Sequence, residues 1–363
     1  MARMLRWLTL LWLCIGLFVL LSASFPVADV GYGDGWYYFK RQLAWALLGF
    51  IGFNIVTKSS LDNLWKFSHW GFLIVLGLII LTHIPGLGIT INGATRWLKV
   101  GPAVIQPSEL IKPFLVLQSA RLFGQWERLT WSVRLGWLLL FCCVLASILL
   151  QPNLSTTSLC GMSLWLIALA AGLPLAYLSG TAIAGLSVGT LSIAINEYQM
   201  RRVTSFLDPW VDPRGDGYQL VQSLYAIGSG ELWGAGYGLS QQKHFFLPIQ
   251  YTDFIFSVFA EEFGFVGSVT LLLLLIAYGT MALFVALKCV HPVKRLVAIG
   301  AMVFLVGQSL LNIGVAAGGL PTTGLPFPLL SYGGSSIIAS LFLAALVIRV
   351  ARESNEAKIF KFK

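Results

Sequence analysis

One carboxylate stands at the edge of an apolar run, where it could accept a proton from a substrate. Asp253 follows Thr252 and directly precedes the apolar residues that begin at Phe254. A charge at the edge of the hydrocarbon region of a membrane is costly, so such a residue is a functional-site hypothesis by default. As a general base, Asp253 would need a substrate hydroxyl within reach and a pKa tuned by a half-buried position. The alternative is that Asp253 caps the following helix, a task that Thr252 could share.

A second group of candidate residues belongs to the polar loop near residue 100 and to the apolar run after it. Arg96 and Lys112 could bind an anionic head group, with Trp97 at the membrane interface. The alternative for Arg96 and Trp97 is interfacial anchoring, which is common in membrane proteins. Lys112 lies about one turn inside its run, where a charge is costly, so a functional role is weighed more evenly against a structural one there than at Arg96 and Trp97.

A third group surrounds a glycine-rich segment, residues 228–238. Closely spaced glycines let the backbone turn sharply and expose N–H groups to an anion, although a flexible connection is the simpler interpretation. Arg202 and Lys243 could supply the counter-charge that a phosphate needs. Glu261 and Glu262 lie two turns beyond Asp253, where we expect them to form ion pairs.

The composition indicates that the chain is an integral membrane protein. Hydrophobic residues make up 57% of the chain and charged residues 11%, with a mean hydropathy of +0.80. Soluble domains carry roughly 25% charged residues. The net charge of +9 is not a nucleic-acid signal, since no basic cluster is interleaved with aromatic residues in a soluble region. The five cysteines show no metal-ligand spacing, and we expect no disulfide. The four histidines are scattered, and none forms a catalytic pair by spacing.

Ten apolar stretches predict an all-α membrane protein with about ten transmembrane helices. Runs of about 20 apolar residues indicate helices rather than a barrel. We expect one polytopic domain over residues 1–363. The predicted spans are residues 6–25, 42–57, 68–84, 108–124, 135–151, 156–172, 175–195, 254–287, 296–316 and 334–350.

The distribution of basic residues predicts the orientation of the chain. Ten spans place both termini on one side, and a cytoplasmic placement puts 15 of the 24 basic residues in the cytoplasm. Lys40 and Arg41 run against this assignment. The polar segment 196–251, between the seventh and eighth spans, is then a large extracytoplasmic loop.

Several turns and helix starts can also be predicted. Gly93, Gly101 and Pro102 should make turns. Ser108 should cap the fourth predicted helix, and Ser335 should cap the last one. Three prolines between residues 320 and 329 forbid a regular helix there. Irregular backbone at membrane depth is tolerated where it is buried in protein or lines a wet cavity, so we expect this segment to fold over a cavity.

Taken together, the motifs closely resemble the SEDS family, to which FtsW and RodA belong. The similarity covers nearly the whole chain, from about residue 8 to 350. Its motifs are Gly93-Ala94-Thr95-Arg96-Trp97, Gln106-Pro107-Ser108-Glu109-Leu110, the run from Arg202 to Pro209, Gly217-Tyr218-Gln219, Thr252-Asp253-Phe254-Ile255-Phe256 with Glu261-Glu262, and Pro328 to Ser336.

The resemblance implies a ten-helix peptidoglycan glycosyltransferase that polymerises lipid II in the bacterial cytoplasmic membrane. The essential aspartate of the family falls on Asp253, and the matched motifs add Gln219 and Ser331 to the candidate substrate-binding residues. The implied partner is a class B penicillin-binding protein, a transpeptidase that cross-links the strands. A divalent cation, Mg²⁺ or Mn²⁺, could assist the phosphate chemistry, with ligands unknown, and no organic cofactor is expected.

Within the family the chain looks more like the division type than the elongation type, because the segment 231–243 resembles that of FtsW. This implies a place at the septum among other division proteins and membrane lipids. Asn153 stands where the family motif has Asp, and Ile249-Gln250-Tyr251 replaces a usual Glu-Ala-His. The alternatives are a RodA-like elongation polymerase, a lipid II flippase or other transporter, and a non-enzymatic division scaffold. A flippase would need polar residues across the membrane, and the spans offer few.

Overall fold

The computed structural model describes residues 1–91, 94–101 and 103–361, and helices account for most of them. Two of the three predicted turn residues, Gly93 and Pro102, lie outside the described part, and Gly101 lies in a turn with φ 60° as predicted. The helices are α1 (Ala2–Tyr32), α2 (Tyr37–Lys58), α3 (Leu61–Leu81), α4 (Pro107–Gly124), α5 (Trp131–Leu149), α6 (Leu154–Ala170), α7 (Leu175–Ile195), α8 (Glu197–Leu207), α9 (Tyr218–Ser229), α10 (Ile255–Lys288), α11 (Pro292–Met302), α12 (Gln308–Ala316) and α13 (Gly334–Lys361).

The predicted membrane spans coincide with helices. Seven helical segments of the described chain are long and apolar enough to cross a membrane, one of them running from Pro292 to Ala316 through a π-helical turn, Val303–Gly307. The remaining predicted spans fall on α2, α4 and α6, which are shorter or carry more polar residues. The multi-pass membrane architecture is therefore confirmed, with α8 and α9 as short helices of the loop between α7 and α10.

A small sheet interrupts the otherwise helical fold between α3 and α4. Strands β1 (Gly88–Ile91), β2 (Ala94–Val100) and β3 (Ala103–Ile105) pair antiparallel in the order β1-β2-β3. Ala94 and Leu98 are its buried residues on β2, at positions that share one face. The all-α prediction overlooked this sheet because its strands are short and lie in what reads as a polar loop.

α10 is broken at Gly264, whose backbone angles (φ 66°, ψ −164°) are accessible in practice to glycine alone. The break frees two carbonyls and two N–H groups of the helix, and the glycine-rich segment binds all four. The bonds run from Ala235 N to Glu261 O (2.8 Å), Gly236 N to Glu262 O (3.1 Å), Phe265 N to Glu231 O (2.9 Å) and Val266 N to Leu232 O (3.1 Å). The backbone groups freed by the kink are thus satisfied by hydrogen bonds with the loop between α7 and α10.

A polar cluster fastens the end of the bundle that carries both termini. The carboxylate of Glu353 on α13 accepts hydrogen bonds from the backbone N–H of Leu61 (2.8 Å), Lys294 Nζ (2.6 Å) and Arg349 Nε (2.8 Å). These contacts join α13 to the start of α3 and to α11. α13 is buried along most of its length, whereas α7 is almost entirely exposed.

Two predicted helix caps are wrong. α4 begins at Pro107 rather than after Ser108, because proline at the first helical position has its φ already set and needs no partner for an N–H. The hydroxyl of Ser335 does not cap α13 but accepts a hydrogen bond from the backbone N–H of Gln106 (2.9 Å). Ser335 thereby ties the start of α13 to the end of the small sheet.

Candidate active site

A cavity of about 1050 Å³ opens at the end of the bundle opposite the termini. Its wall is built from the ends of α1 and α2, the strand β2, the helices α8 and α9, the turn before α10 and the irregular segment before α13. Five of the predicted site residues line it, namely Arg96, Trp97, Arg202, Gln219 and Asp253. Thr322, Gly324 and Pro326 also line it, so the proline-rich segment does fold over a cavity as expected.

Asp253 lies in a turn whose backbone is held by a hydrogen bond from Asn312. The amide of Asn312 on α12 donates hydrogen bonds to the backbone carbonyls of Asp253 (2.8 Å) and Leu325 (2.9 Å). α10 begins at Ile255 after Phe254 and has no side-chain cap. The alternative that Asp253 serves as a helix cap is therefore not supported, and its carboxylate is left to the cavity.

The environment of Asp253 favours a carboxyl that holds its proton more readily than a free one. Burial raises its pKa above the usual value of 3.8, while Arg202, Arg96 and the Thr252 hydroxyl act in the opposite direction. The effect of burial is the largest of these. A raised pKa makes the carboxylate a stronger base, which suits proton removal from a hydroxyl.

The guanidinium of Arg202 is held beside Asp253 by two contacts. Its Nη1 donates a hydrogen bond to the carbonyl of Thr322 (3.1 Å), and the group lies 4.6 Å above the ring of Tyr198. A Cβ at Gly324 would lie 3.5 Å from Asp253 Oδ2 and 3.7 Å from Arg202 Nη1. Gly324 therefore sits between the carboxylate and the cation, where a side chain would fill the space that a reacting group needs.

Arg96 is positioned by the motif that departs from the family pattern. Its Nε donates to the carbonyl of Gln151 (3.1 Å) and its Nη2 to that of Pro152. The next residue, Asn153, accepts a hydrogen bond from the N–H of Thr156 (3.3 Å) and caps α6. An asparagine oxygen serves this purpose as well as a carboxylate, so the substitution keeps the local geometry.

Lys112 lies outside the cavity wall and is fully buried. Its ammonium group pairs with Glu109 one turn earlier (2.6 Å) and donates to Gln308 Oε1 (3.0 Å). The Gln308 amide in turn donates to the carbonyl of Pro326 (2.6 Å). The structure therefore gives Lys112 a role in bracing the proline-rich segment, and direct head-group binding by Lys112 gains no support.

Lys243 also lies outside the cavity wall. Its Nζ bonds both Ser22 Oγ and Glu262 Oε1 at 2.7 Å, and all three side chains are buried. Glu261 accepts hydrogen bonds from Ser240 and from the backbone of Gln241. The predicted ion-pair role of the two glutamates thus holds for Glu262, whereas Glu261 binds the loop through hydrogen bonds.

The glycine-rich segment does not present an anion-binding cradle in this structure. The N–H groups of Ala235 and Gly236 are taken by the carbonyls of the kink in α10. The positive charge that faces the cavity comes instead from arginine side chains. These are Arg41, Arg96, Arg201, Arg202 and Arg214.

Ser331 fixes the turn before α13 instead of facing the cavity. Its hydroxyl donates to the carbonyl of Thr252 and accepts from the N–H of Phe327 (2.8 Å). Gln219, by contrast, lines the cavity from the first turn of α9, and Trp97 lines it from β2. Ser331 is therefore a support for the residue next to Asp253, while Gln219 and Trp97 can contact a substrate.

Sequence reasoning missed several groups at this site. Arg214 and Asp216 follow one another closely in the polar segment, and Asn312 stands alone in an apolar run. The larger omission is a set of cavity-lining tyrosines from four separate places in the chain. Their clustering could not be read from spacing, although Lys40 and Arg41, the exceptions to the charge rule, follow Tyr37 and Tyr38 closely in the chain.

The described residues do not form a ready cage for a divalent cation. Among them no group of three or more His, Cys, Asp or Glu side chains could hold a metal ion. The two carboxylates in the cavity wall are Asp216 and Asp253, and five arginines share that wall. Charge stabilisation by arginine is thus what the protein itself supplies.

Comparison with known proteins gives consistent results. The FtsW/RodA/SpoVE family, described as "Cell cycle protein", matches residues 2–356. A protein of Synechocystis sp. named "Probable peptidoglycan glycosyltransferase FtsW" is 58% identical over 358 residues, covering 99% of this chain and 91% of that protein. Two solved structures share the fold. One is a chain of a peptidoglycan synthase complex (TM-score 0.78, 31% identity, 96% and 97% coverage), and the other is the rod-shape-determining protein RodA of Thermus thermophilus (TM-score 0.69, 29% identity, 96% of both chains).

Proposed function

The chain belongs to the FtsW/RodA/SpoVE family of cell cycle proteins, and from this premise we propose that it is a peptidoglycan glycosyltransferase that polymerises lipid II. The observation that carries the proposal is the cavity in which Asp253 and Arg202 face the same space around Gly324. A base and a fixed cation side by side are what glycosyl transfer from a pyrophosphate requires.

The reaction follows from this geometry. The carboxylate of Asp253 accepts the proton of an acceptor sugar hydroxyl, whose oxygen attacks the anomeric carbon of the donor sugar. The new glycosidic C–O bond forms as the bond from that carbon to the pyrophosphate oxygen breaks, and the pyrophosphate leaves with the electron pair. Arg202 and Arg96 stabilise the negative charge that grows on it, which is where a fixed charge contributes most.

The location of the cavity agrees with a lipid-linked substrate. Lipid II has a polyprenyl tail that stays in the bilayer, and the cavity lies at the ends of membrane-spanning helices. The protein is embedded in the membrane. We place the cavity at the outer face of the bacterial cytoplasmic membrane and both termini in the cytoplasm, on the strength of the basic residues near the termini.

The division role and the partner are the finer parts of the proposal. The Synechocystis protein carries the name FtsW, and the related complex is described by its "coordination of polymerization and crosslinking". By this likeness the chain works at the septum with a class B penicillin-binding protein that cross-links the strands. A divalent cation held by the substrate pyrophosphate is compatible with the site.

Transport of lipid II receives no support from the polar residues inside the spans. The side chain of Asn54 accepts a hydrogen bond from Arg6 (3.0 Å), and those of Gln308 and Asn312 bind backbone carbonyls near the cavity. All three are engaged in holding the fold, so none marks a polar path across the membrane.

Polymerisation by the purified protein tests the proposal. The full chain is reconstituted in liposomes with lipid II, alone and with its class B partner, and products are separated by length. Glycan strands that depend on this chain support the proposal. Movement of lipid II across the bilayer without any strand formation would overturn it in favour of transport.

A further inference from the structure

Five tyrosine rings form one connected cluster in the wall of the cavity. Tyr38 is its centre, stacked on Tyr251 (ring centroids 4.7 Å apart) and in edge contact with Tyr332 (5.0 Å). Tyr32 and Tyr37 stack on each other (3.7 Å), and each also contacts Tyr38 in edge geometry. Because every ring leans on another, the cluster presents a preorganised aromatic surface.

The cluster differs from the aromatic belt that membrane proteins place at the interface. All five rings line the cavity, and Tyr37, Tyr38, Tyr251 and Tyr332 are half-buried. They come from the end of α1, the start of α2, the turn before α10 and the segment before α13. A belt residue needs only lipid and water around it, whereas these rings are brought together from distant parts of the chain to face one space.

The cluster is tied directly to the turn that carries the proposed base. Tyr251 precedes Asp253 by two residues, and the N–H of Tyr332 donates a hydrogen bond to the carbonyl of Tyr251 (2.9 Å). Arg202 on α8 and Arg96 on β2 act on the same carboxylate through their positive charge. The base therefore lies near Arg202 and Arg96, and the tyrosine cluster borders its turn, with Arg41 held against the cluster by a hydrogen bond to the Tyr37 hydroxyl (2.7 Å).

The chemistry of tyrosine suits a sugar ring. A pyranose has flat C–H faces and a rim of hydroxyls, and a tyrosine offers an apolar face and a hydroxyl that can bond the rim. Arg202 and Arg96 are matched to the donor pyrophosphate. Since the base must touch the acceptor hydroxyl, the tyrosine cluster that adjoins its turn suits the acceptor sugar, and Arg41 beside Tyr37 can donate hydrogen bonds to the same sugar.

We propose, on the basis of the proposed function, that the cluster of Tyr32, Tyr37, Tyr38, Tyr251 and Tyr332 is the subsite that binds the acceptor sugar of lipid II by stacking. The subsite orients the N-acetylglucosamine ring so that its free hydroxyl meets Asp253. The subsite determines the apparent affinity for the acceptor, whereas Arg202 and Arg96 stabilise the departing pyrophosphate.

Kinetics on the full chain in liposomes, with the partner present, test this subsite. Tyr38→Ala should raise KM for lipid II about 3- to 10-fold with a smaller change in kcat, because an aromatic contact of this size is lost. Tyr38→Phe keeps the ring and loses the hydroxyl, so its KM should rise less. Tyr225→Ala removes an exposed tyrosine outside the cavity wall and is the matched control, with an expected KM close to that of the unmodified protein.

A binding measurement keeps the test independent of turnover and of the proposed reaction. Saturation-transfer NMR with chitotetraose, a chain of four N-acetylglucosamine units, should give a signal with folded Asp253→Asn protein. That signal should fall at least about fivefold when Tyr38→Ala or Tyr251→Ala is added. Thermal melting of each variant in detergent shows that it is folded.

Three outcomes are informative. Unchanged KM and an unchanged chitotetraose signal in folded Tyr38→Ala would overturn the subsite while polymerisation by the unmodified chain leaves the proposed function standing. Weakened binding of undecaprenyl phosphate, with sugar binding intact, would also overturn it and identify a lipid-tail contact. Absence of strand formation by the unmodified chain, with chitotetraose bound through the tyrosines, would instead count against the proposed function.

Discussion

The side-chain amide of Asn312 donates a 2.8 Å hydrogen bond to the backbone carbonyl of Asp253. The same nitrogen holds the carbonyl of Leu325 at 2.9 Å. One buried amide on α12 thus joins the turn that carries the base to the segment that closes the cavity. The position of the carboxylate is therefore set by contacts to its backbone, and its side chain remains available for chemistry.

Asp253→Asn should abolish polymerisation and leave membrane insertion intact. The amide has nearly the same shape and cannot accept the hydroxyl proton, and loss of a general base lowers the rate by roughly 10²–10⁴-fold. The measurement is strand formation per mole of folded protein. Asp208→Asn, which changes an exposed carboxylate of the same loop, is the control. Near-normal strand formation by Asp253→Asn would exclude this residue as the base.

The acid limb of the pH dependence of kcat/KM should lie above the ordinary aspartate pKa of 3.8. Burial raises the pKa of Asp253, and the protonated carboxyl cannot accept a proton, so activity falls as the pH drops through that raised value. Arg202 opposes the rise. Arg202→Gln should therefore move the limb to still higher pH, and Arg202→Lys should move it less. An unmoved limb in Arg202→Gln would show that the titrating group is not Asp253.

Arg202 and Lys243 should behave differently when each is changed to Gln. Arg202→Gln should lower kcat sharply because its charge faces the reacting groups. Lys243→Gln should mainly lower the yield of folded protein, since it leaves the Glu262 carboxylate buried without its cation, a loss of about 3–5 kcal/mol. Arg3→Gln, at the exposed start of α1, serves as the control for general charge effects.

A second variant distinguishes the structural role of Lys243 from a direct one. In Lys243→Met with Glu262→Gln, the buried charge is gone, and folded yield should recover in large part. Turnover per folded molecule should then lie near the Arg3→Gln control. If the double variant folds and remains inactive, Lys243 acts on the substrate after all.

Gly264→Ala should destabilise the protein by about 1–3 kcal/mol from backbone strain, with a steric clash in addition. A Cβ at Gly264 would lie 2.3 Å from Gly234 N and 2.6 Å from Leu232 O, and its φ of 66° disfavours alanine. Gly279→Ala in the same helix is the matched control, because its Cβ would make an ordinary contact of 3.5 Å with Val306. Thermal unfolding in detergent gives the comparison. Equal stability of the two variants would mean that the kink is dispensable.

Ser229→Cys should react with a membrane-impermeant thiol reagent in intact cells. Ser229 is exposed at the end of α9, on the side of the cavity, which we place outside the cytoplasm. Lys66→Cys, near the opposite end of the bundle, should react only after permeabilisation. Both changes are made in a chain whose native cysteines are replaced. The reverse pattern would invert the proposed orientation.

The sequence predicted the spans well because apolar length alone decides whether a helix can cross a bilayer. It located Asp253 because a carboxylate at the edge of the membrane is energetically costly and therefore indicates a functional site. It could not place Lys112 and Lys243. The sequence around a lysine in an apolar run is the same whether its ammonium group binds a substrate or a buried glutamate. The partner of Lys243, Glu262 on α10, lies 19 residues further along the chain, so no local pattern pairs them.

The tyrosine cluster and the small sheet were beyond prediction for a different reason. Tyr38 and Tyr332 are almost 300 residues apart, and their contact depends on how α13 returns to the start of α2. The strands of the sheet are too short for an alternation of apolar and polar residues to be visible in the sequence. Long-range contacts of this kind require the packed fold, since no local pattern encodes them.

The backbone exchange at Gly264 has a consequence for how this protein can change over evolutionary time. The loop is joined there through N–H and carbonyl groups, which every residue except proline possesses. Leu232 and Trp233 keep their side chains exposed at 61% and 78%. Their identities can therefore drift, or adapt to a new neighbour, while the glycines that permit the exchange stay fixed. A lineage could remodel the exposed surface of this loop without disturbing Asp253, which lies two residues before the start of α10.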